Sequence, residues 1–229
     1  MMKNSGKARK AAARLIVLTL VPVLVILGVG AAVASPSRVF GVVAWVVIGL
    51  WVLFALFTLY FFRDPDAKVP AGNGLVLSPG HGTVDAIDST AEPAFMGGEC
   101  QRISIFLSVL NVHVQNAPLT GRVAFYKYTT GKFISALKSE CAVHNENVLV
   151  GIEAKEPKGQ RMALRLIAGV LARRIVPWIQ QGSEIVQGER ISLIQFGSRV
   201  DVFLPRAAQI KARIGDKVVG GETVLAVFG

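Results

Sequence analysis

Residues 193–205 read LIQFGSRVDVFLP, two short apolar runs broken by Gly197-Ser198-Arg199. Each run is too short for a helix and rich enough in branched and aromatic side chains to be a strand. The break needs a reason. A turn or β-bulge would supply one, because Gly relaxes the backbone and Ser hydrogen-bonds locally. The dipeptide alone decides nothing, since Gly182-Ser183 recurs in an ordinary polar loop.

Outward from this stretch, the punctuation is that of a β-rich domain. LVLSP, GTVDAI, RISIFLSV, HVQNAP, GRVAFYKY and VLVGIE are short apolar or alternating runs bounded by Gly, Pro and Asn. RMALRLIAGVL (161–171) fits strand or helix by periodicity, and Gly169 with its strand-like neighbours favours strand. Residues 210–229 alternate around GD and GGE turns, which predicts a terminal β-hairpin.

The N-terminus is different in kind. Residues 15–34 and 39–62 contain no charged side chain. Each is long enough to cross a hydrocarbon layer of ~30 Å, which takes about 20 helical residues. Only SPSR (35–38) separates them, predicting a tight antiparallel hairpin. A cleaved signal peptide is the rival reading, because AVA precedes Ser35, but the apolar run exceeds the ~7–15 residues of a signal core. The fold class expected is α+β: a basic N-terminus and two-span membrane anchor over 1–62, then a β-rich domain over 63–229.

Lys3, Lys7, Arg9, Lys10 and Arg14 precede the first span, and Arg63 and Lys68 follow the second. The positive-inside rule therefore puts both termini in the cytoplasm. The net charge of +10 is concentrated ahead of residue 63, where six Lys or Arg meet no acid. The modest excess that remains suits anionic lipid, and no basic cluster with interleaved aromatics suggests nucleic acid. Cys100 and Cys141 lack CxxC spacing, so reduced thiols are expected and no metal site.

Of the three histidines, His113 lies in FLSVLNVHVQNAP, where apolar neighbours would partly desolvate an imidazole able to exchange a proton near neutral pH. No Ser-His-Asp order, phosphate loop or metal-ligand spacing is present.

YFFRDP (60–65), LVLSPGHGTV (75–84), FLSVLNVHVQNAPLTGRV (106–123), IAGVLARRIVPW (167–178) and GERISLIQFGSRVDVFLP (188–205) together resemble the short, membrane-anchored bacterial form of phosphatidylserine decarboxylase. The resemblance runs in order over nearly the whole chain. It implies that a proenzyme cuts itself between Gly197 and Ser198, giving a β chain of 1–197 and an α chain of 198–229 that stay together as a heterodimer. Ser198 Oγ would attack the Gly197 carbonyl, and elimination would turn Ser198 into a covalent pyruvoyl group. A Schiff base between that group and phosphatidylserine would then lose carbon dioxide, His113 would return a proton, and phosphatidylethanolamine would leave. The implied address is the bacterial inner membrane with the catalytic domain on the cytoplasmic side. The implied partners are phosphatidylserine and anionic lipid; whether a higher oligomer forms is open.

The chain departs from the family pattern at three places. His81 stands in SPGHG where the family has an Asp thought to assist self-cleavage, and Asp85 is nearby as a second candidate helper. Asn116 stands where the short forms have Arg, and HNEN (144–147) where they tend to read NERN. Arg173 and Arg174 are candidates for the lipid phosphate, or a solvated pair; Arg199 could orient the substrate carboxylate or cover a surface. His81 motivates an alternative function: a non-cleaving paralogue that binds anionic lipid without catalysis. A tethered carrier domain is a third reading, because the tail is similar to biotinyl and lipoyl hairpins. Those need a Lys at the tip, where this chain has Gly220-Gly221.

Overall fold

A computed structural model describes residues 3–33, 38–132, 134, 144–169, 174–195 and 198–229. The chain divides into two compact units. One is Gly6–Asp64; the other is Pro65–Gly229 with the short stretch that precedes the helices.

The first unit is a pair of helices, α1 (Lys7–Val33) and α2 (Arg38–Phe61), each long and apolar enough to cross a membrane. Trp51 Nε1 donates to Thr19 Oγ1 at 3.3 Å, while Gly30 faces Phe40 so closely that a Cβ would lie 2.4 Å from the ring. Contacts pairing 19 with 51 and 30 with 40 require antiparallel helices. A small residue at Gly30 lets the backbones approach, which is how apolar helices gain contact where burial from water gives no drive. Thr19 and Thr58 return their hydroxyls to carbonyls of the preceding turn, so neither presents an unsatisfied donor. Arg63 stacks over the Tyr60 ring at 3.9 Å, a cation and an aromatic at the end of the apolar run.

The second unit is β-rich, as its punctuation predicts. Its strands are β1 (Leu75–Leu77), β2 (Gly82–Glu92), β3 (Gly98–Leu107), β4 (Val114–Asn116), β5 (Gly121–Thr129), β6 (Asn147–Ala154) and β7 (Arg161–Ala168). They continue with β8 (Ile175–Pro177), β9 (Glu184–Ile185), β10 (Arg190–Ile194), β11 (Ser198–Leu204), β12 (Gln209–Ile210), β13 (Lys217–Val218) and β14 (Val224–Val227). An eight-stranded antiparallel sheet runs β13-β2-β3-β11-β7-β6-β5-β9, and two three-stranded sheets run β1-β14-β12 and β4-β10-β8. The ambiguous 161–171 segment is a strand through Ala168. In the tail, β12 and β14 pair antiparallel, and β13, on the excursion between them, joins β2 instead.

β11, from the stretch quoted at the outset, lies inside the large sheet between β3 and β7. Alternation sends Val200, Val202 and Leu204 into the main core with Ile103, Ile105, Leu107, Leu164 and Leu166. Each such burial is worth about 1.5–3 kcal/mol relative to exposure. The other face of β11 carries Arg199, Asp201 and Phe203, and these are buried as well. Cys100 is a buried free thiol on that second side, packed with Met96, Leu149, Ala163 and Phe203, while Cys141 lies outside the described residues.

The residues just before the helices and just after them meet on β10. Asn4 Nδ2 donates to the Arg190 carbonyl at 2.8 Å, and the Arg190 guanidinium, 1% exposed, donates to Asp66 Oδ1 at 2.8 Å. Lys3 adds an ion pair to Glu189 at 3.4 Å.

Candidate active site

Ser198 opens β11 opposite Leu107 on β3 and Ala168 on β7, with no solvent exposure. By alternation its side chain shares the core face with Val200. Among the described residues its Oγ has no hydrogen-bond partner, although a buried hydroxyl normally has one. Gly197 and Arg173 lie outside the described residues.

His113 is fully buried just ahead of β4. The chain reaches it through a tight turn in which Asn111 Oδ1 accepts from both the backbone N and the Oγ of Ser108, each at 2.9 Å. His113 Nδ1 is 2.9 Å from the Asn111 carbonyl oxygen, which can only accept, so the proton sits on Nδ1 and exchange falls to Nε2. The carbonyl of His113 accepts from Ile194 N at 3.1 Å and from Gln115 Nε2 at 2.7 Å. Ile194 is four residues before Ser198. The turn also follows Leu107, the register partner of Ser198. His113 and Ser198 are thus held at the same end of the large sheet by two separate tethers.

His81 belongs to a loop folded onto β4. Ser78 Oγ donates to the Gly80 carbonyl at 2.7 Å, Asn116 N to the Pro79 carbonyl at 2.9 Å, and Gly221 N to the Ser78 carbonyl at 2.8 Å. Gly220 is wedged between His81 and Asn116: a Cβ there would lie 3.0 Å from His81 Nε2 and 2.8 Å from Asn116 Oδ1. Asn116 Nδ2 donates to the Gly188 carbonyl at 2.9 Å, which turns Oδ1 toward the His81 side. Two departures noted along the sequence, His81 and Asn116, are therefore neighbours in space. Gly82 follows, so close to β3 that a Cβ would be 2.2 Å from the Phe106 carbonyl oxygen; no larger residue fits.

Asp85 is not brought to Ser198. It sits at an irregularity of β2 between Val84 and Ala86 and pairs with Arg199 on the opposite face of the sheet. Burial pushes the Asp85 carboxyl up from its usual value, against the pull of Arg199. Further along that face, Ser104 Oγ donates to Asp201 Oδ1 at 2.7 Å, and Arg102 grips Asp88 through Nε at 2.9 Å and Nη2 at 2.5 Å. Asp201 is unexposed, and burial raises its pKa despite Ser104, Arg102, Arg199 and Arg165. Arg199 thus has a carboxylate partner already, on the side away from the serine. Arg174 is exposed, and its carbonyl accepts from Gln195 N at 3.2 Å.

Sequence reading missed the approach of both His81 and Asn116 to Gly220, and the burial of Asp201. Neither left a signal in the sequence: only the register of β11 on β3 sets Asp201 opposite Ser104.

The sequence that builds this arrangement has close relatives among known proteins. The sequence profile of phosphatidylserine decarboxylase matches residues 54–226. A phosphatidylserine decarboxylase proenzyme of Desulfotalea psychrophila is 44% identical over 176 residues, 77% of this chain and 81% of that one. Proenzymes of the same name from Symbiobacterium thermophilum and Ruegeria pomeroyi are 39% identical over 183 residues and 41% over 191, covering 80% and 82% of this chain and 84% of each relative. The chain belongs to the phosphatidylserine decarboxylase family.

Proposed function

We propose that this protein decarboxylates phosphatidylserine to phosphatidylethanolamine, after cutting itself between Gly197 and Ser198. The observation that carries the reading is the Ser198 hydroxyl: buried, without a hydrogen-bond partner among the described residues, and preceded by a glycine. In the cut, Ser198 Oγ gives up its proton and bonds to the Gly197 carbonyl carbon, and the amide becomes an ester. Loss of the Ser198 Cα proton then expels the Gly197 carboxylate. Water replaces the nitrogen of the resulting dehydroalanine, ammonia leaves, and residue 198 ends as a pyruvoyl group.

A pyruvoyl carbonyl supplies an electron sink for an amine substrate that is losing carbon dioxide. The chain's own residues do the rest. His113 keeps Nδ1 on the Asn111 carbonyl and holds or delivers a proton at Nε2. The strands around Ser198 exclude water, and the apolar face of Leu107 and Ala168 provides the low-dielectric surroundings in which such a proton transfer is effective. The two chains, 1–197 and 198–229, remain a heterodimer. Two apolar helices and the basic flanks support a bacterial inner-membrane address with the catalytic unit on the cytoplasmic side, where the substrate lipid is within reach.

Intact mass and a denaturing gel test the reading together with release of labelled carbon dioxide from phosphatidylserine. Two chains with a pyruvoyl-blocked 198–229 piece are expected. Ser198→Ala should remain one inactive chain, and decarboxylation by that variant would overturn the mechanism. The second reading, a non-cleaving paralogue that binds anionic lipid, draws on His81 against Asn116 and Gly220. It predicts a single chain from the natural sequence.

A further inference from the structure

The segment 211–219, which follows β12 and includes β13, presents Lys211, Arg213, Ile214, Lys217 and Val219 to solvent. Ile214 is 65% exposed and Val219 41%. Three cations stand against one acid, and that acid is used internally: Asp216 Oδ2 accepts the Arg213 backbone N at 2.8 Å, closing the turn under Ile214. The tip is not a loose loop. Gly215 N donates to the Val84 carbonyl at 2.8 Å, Val84 N to the Asp216 carbonyl at 2.9 Å, and Val219 N to Thr223 Oγ1 at 2.9 Å. An apolar side chain is thus held out on a rigid base, in a short segment that carries three exposed cations.

Its position is informative. Register carries one row across the sheet from Val218 to Gly82, from the adjoining Thr83 to Phe106, and from Phe106 and Leu107 to Arg199 and Ser198. Three strand spacings put β13, the C-terminal part of this segment, about 14 Å from Ser198 along the sheet. Leu110, three residues past Leu107, is 59% exposed at the same end. The chain arriving from α2 also passes here. A Cβ on Gly221 would lie 2.7 Å from Ala67 Cβ, and Lys68 N donates to Glu222 Oε1 at 3.0 Å. Ala67 is six residues beyond Phe61, so at most about 20 Å of chain separates this region from the end of an apolar helix.

We infer that the 211–219 tip docks on the surface of an anionic bilayer, with Ile214 entering the interface and Lys211, Arg213 and Lys217 on lipid phosphates and carboxylates. The inference rests on the membrane reading above and deepens it: the helices tether the protein, while the tip sets which end of the sheet meets lipid. A lipid drawn to this patch is drawn to the Ser198 end. Cations near an anionic leaflet each contribute about a fivefold gain in partitioning, falling off within a Debye length.

The test uses full-length protein in phosphatidylcholine vesicles containing phosphatidylserine. A nitroxide on Ile214→Cys, in a Cys141→Ser background with Cys100 buried, should be shielded from an aqueous relaxant in vesicles and exposed to it in detergent. The triple variant Lys211→Glu/Arg213→Glu/Lys217→Glu should lose about fivefold or more in rate at low phosphatidylserine content, and less in high salt. Its self-cleavage and its rate on a dispersed short-chain phosphatidylserine should not change. Equal label exposure in vesicles and detergent, an equal loss on both substrates, or short label-to-label distances reporting a second copy on the patch would each overturn the inference. The label can be read in Ser198→Ala, so failure of the decarboxylase reading would not be mistaken for failure of docking.

Discussion

At the scale of single residues, the proposed function assigns His113 and His81 to different steps, which experiment can separate. Removing the imidazole at 113 should lower turnover per cleaved molecule by about 10²–10⁴-fold, the usual scale for a general acid, as measured by labelled-lipid assay on the cleaved fraction. At position 81 the neighbour matters. Asn116 Oδ1 is turned to that side by the Nδ2 contact to Gly188, so a carboxylate introduced by His81→Asp would face an oxygen. Pulse-chase gels should show His81→Asp/Asn116→Arg cleaving faster than His81→Asp alone; the reverse order would uncouple the two sites. Asp201 offers a pH test. Its folded pKa lies above the ordinary aspartate value because burial outweighs Ser104 and the arginines, so the folded state holds the proton more tightly than the unfolded. That contribution favours the fold at acid pH and is lost as pH rises through the folded pKa. Asp201→Asn removes the cost of the buried charge. In the uncleaved Ser198→Ala background it should melt higher than its parent at pH 7–8, with the gap closing toward pH 3; a gap that widens in acid would refute the assignment.

At the scale of elements, β11 governs the sheet because it is paired on both sides. Leu204→Ala at its buried end should cost about 2–5 kcal/mol, the range for emptying a large core side chain, read from denaturant unfolding of the uncleaved form. Arg190 on β10 is the corresponding tie for the segments on either side of the helices. Asp66→Ala removes a carboxylate that is itself 80% exposed, and Arg190 keeps its bond to the Pro65 carbonyl, so the change should cost about 1 kcal/mol or less; Asn4→Ala, which removes one side-chain donor, should also cost about 1 kcal/mol. The strands themselves were legible from alternation and from Gly and Pro punctuation, and so were the two apolar spans. Residues 161–168, ambiguous by periodicity, were read as strand only through their neighbours, and they form β7. What the sequence hid was the second side of the sheet. Arg199 and Asp201 look like outward-facing polar residues, and only pairing with Asp85 and Ser104, distant in sequence, makes their burial tolerable. Gly82 and Gly220 were equally silent, since close approach of backbone to a carbonyl or an imidazole leaves no mark on composition.

For the whole molecule, the topology expected from the basic flanks puts both ends of the chain on one side of the membrane. Reporter fusions at residue 4 and at Gly229 should give the same answer, and opposite answers would remove the two-span anchor. The placement of residue 198 has a longer reach. Everything after it is woven into the remainder: β11 between β3 and β7, β13 beside β2, and β14 against β1. A cut at that point frees a new chain end without freeing a part, because withdrawing 198–229 would unzip the large sheet and empty the core it closes. Each copy should therefore keep for life the small chain it was translated with. Heavy-isotope and ordinary protein, matured separately and then mixed, should yield no hybrid masses in native mass spectrometry. A defective small chain could then be replaced only by new synthesis.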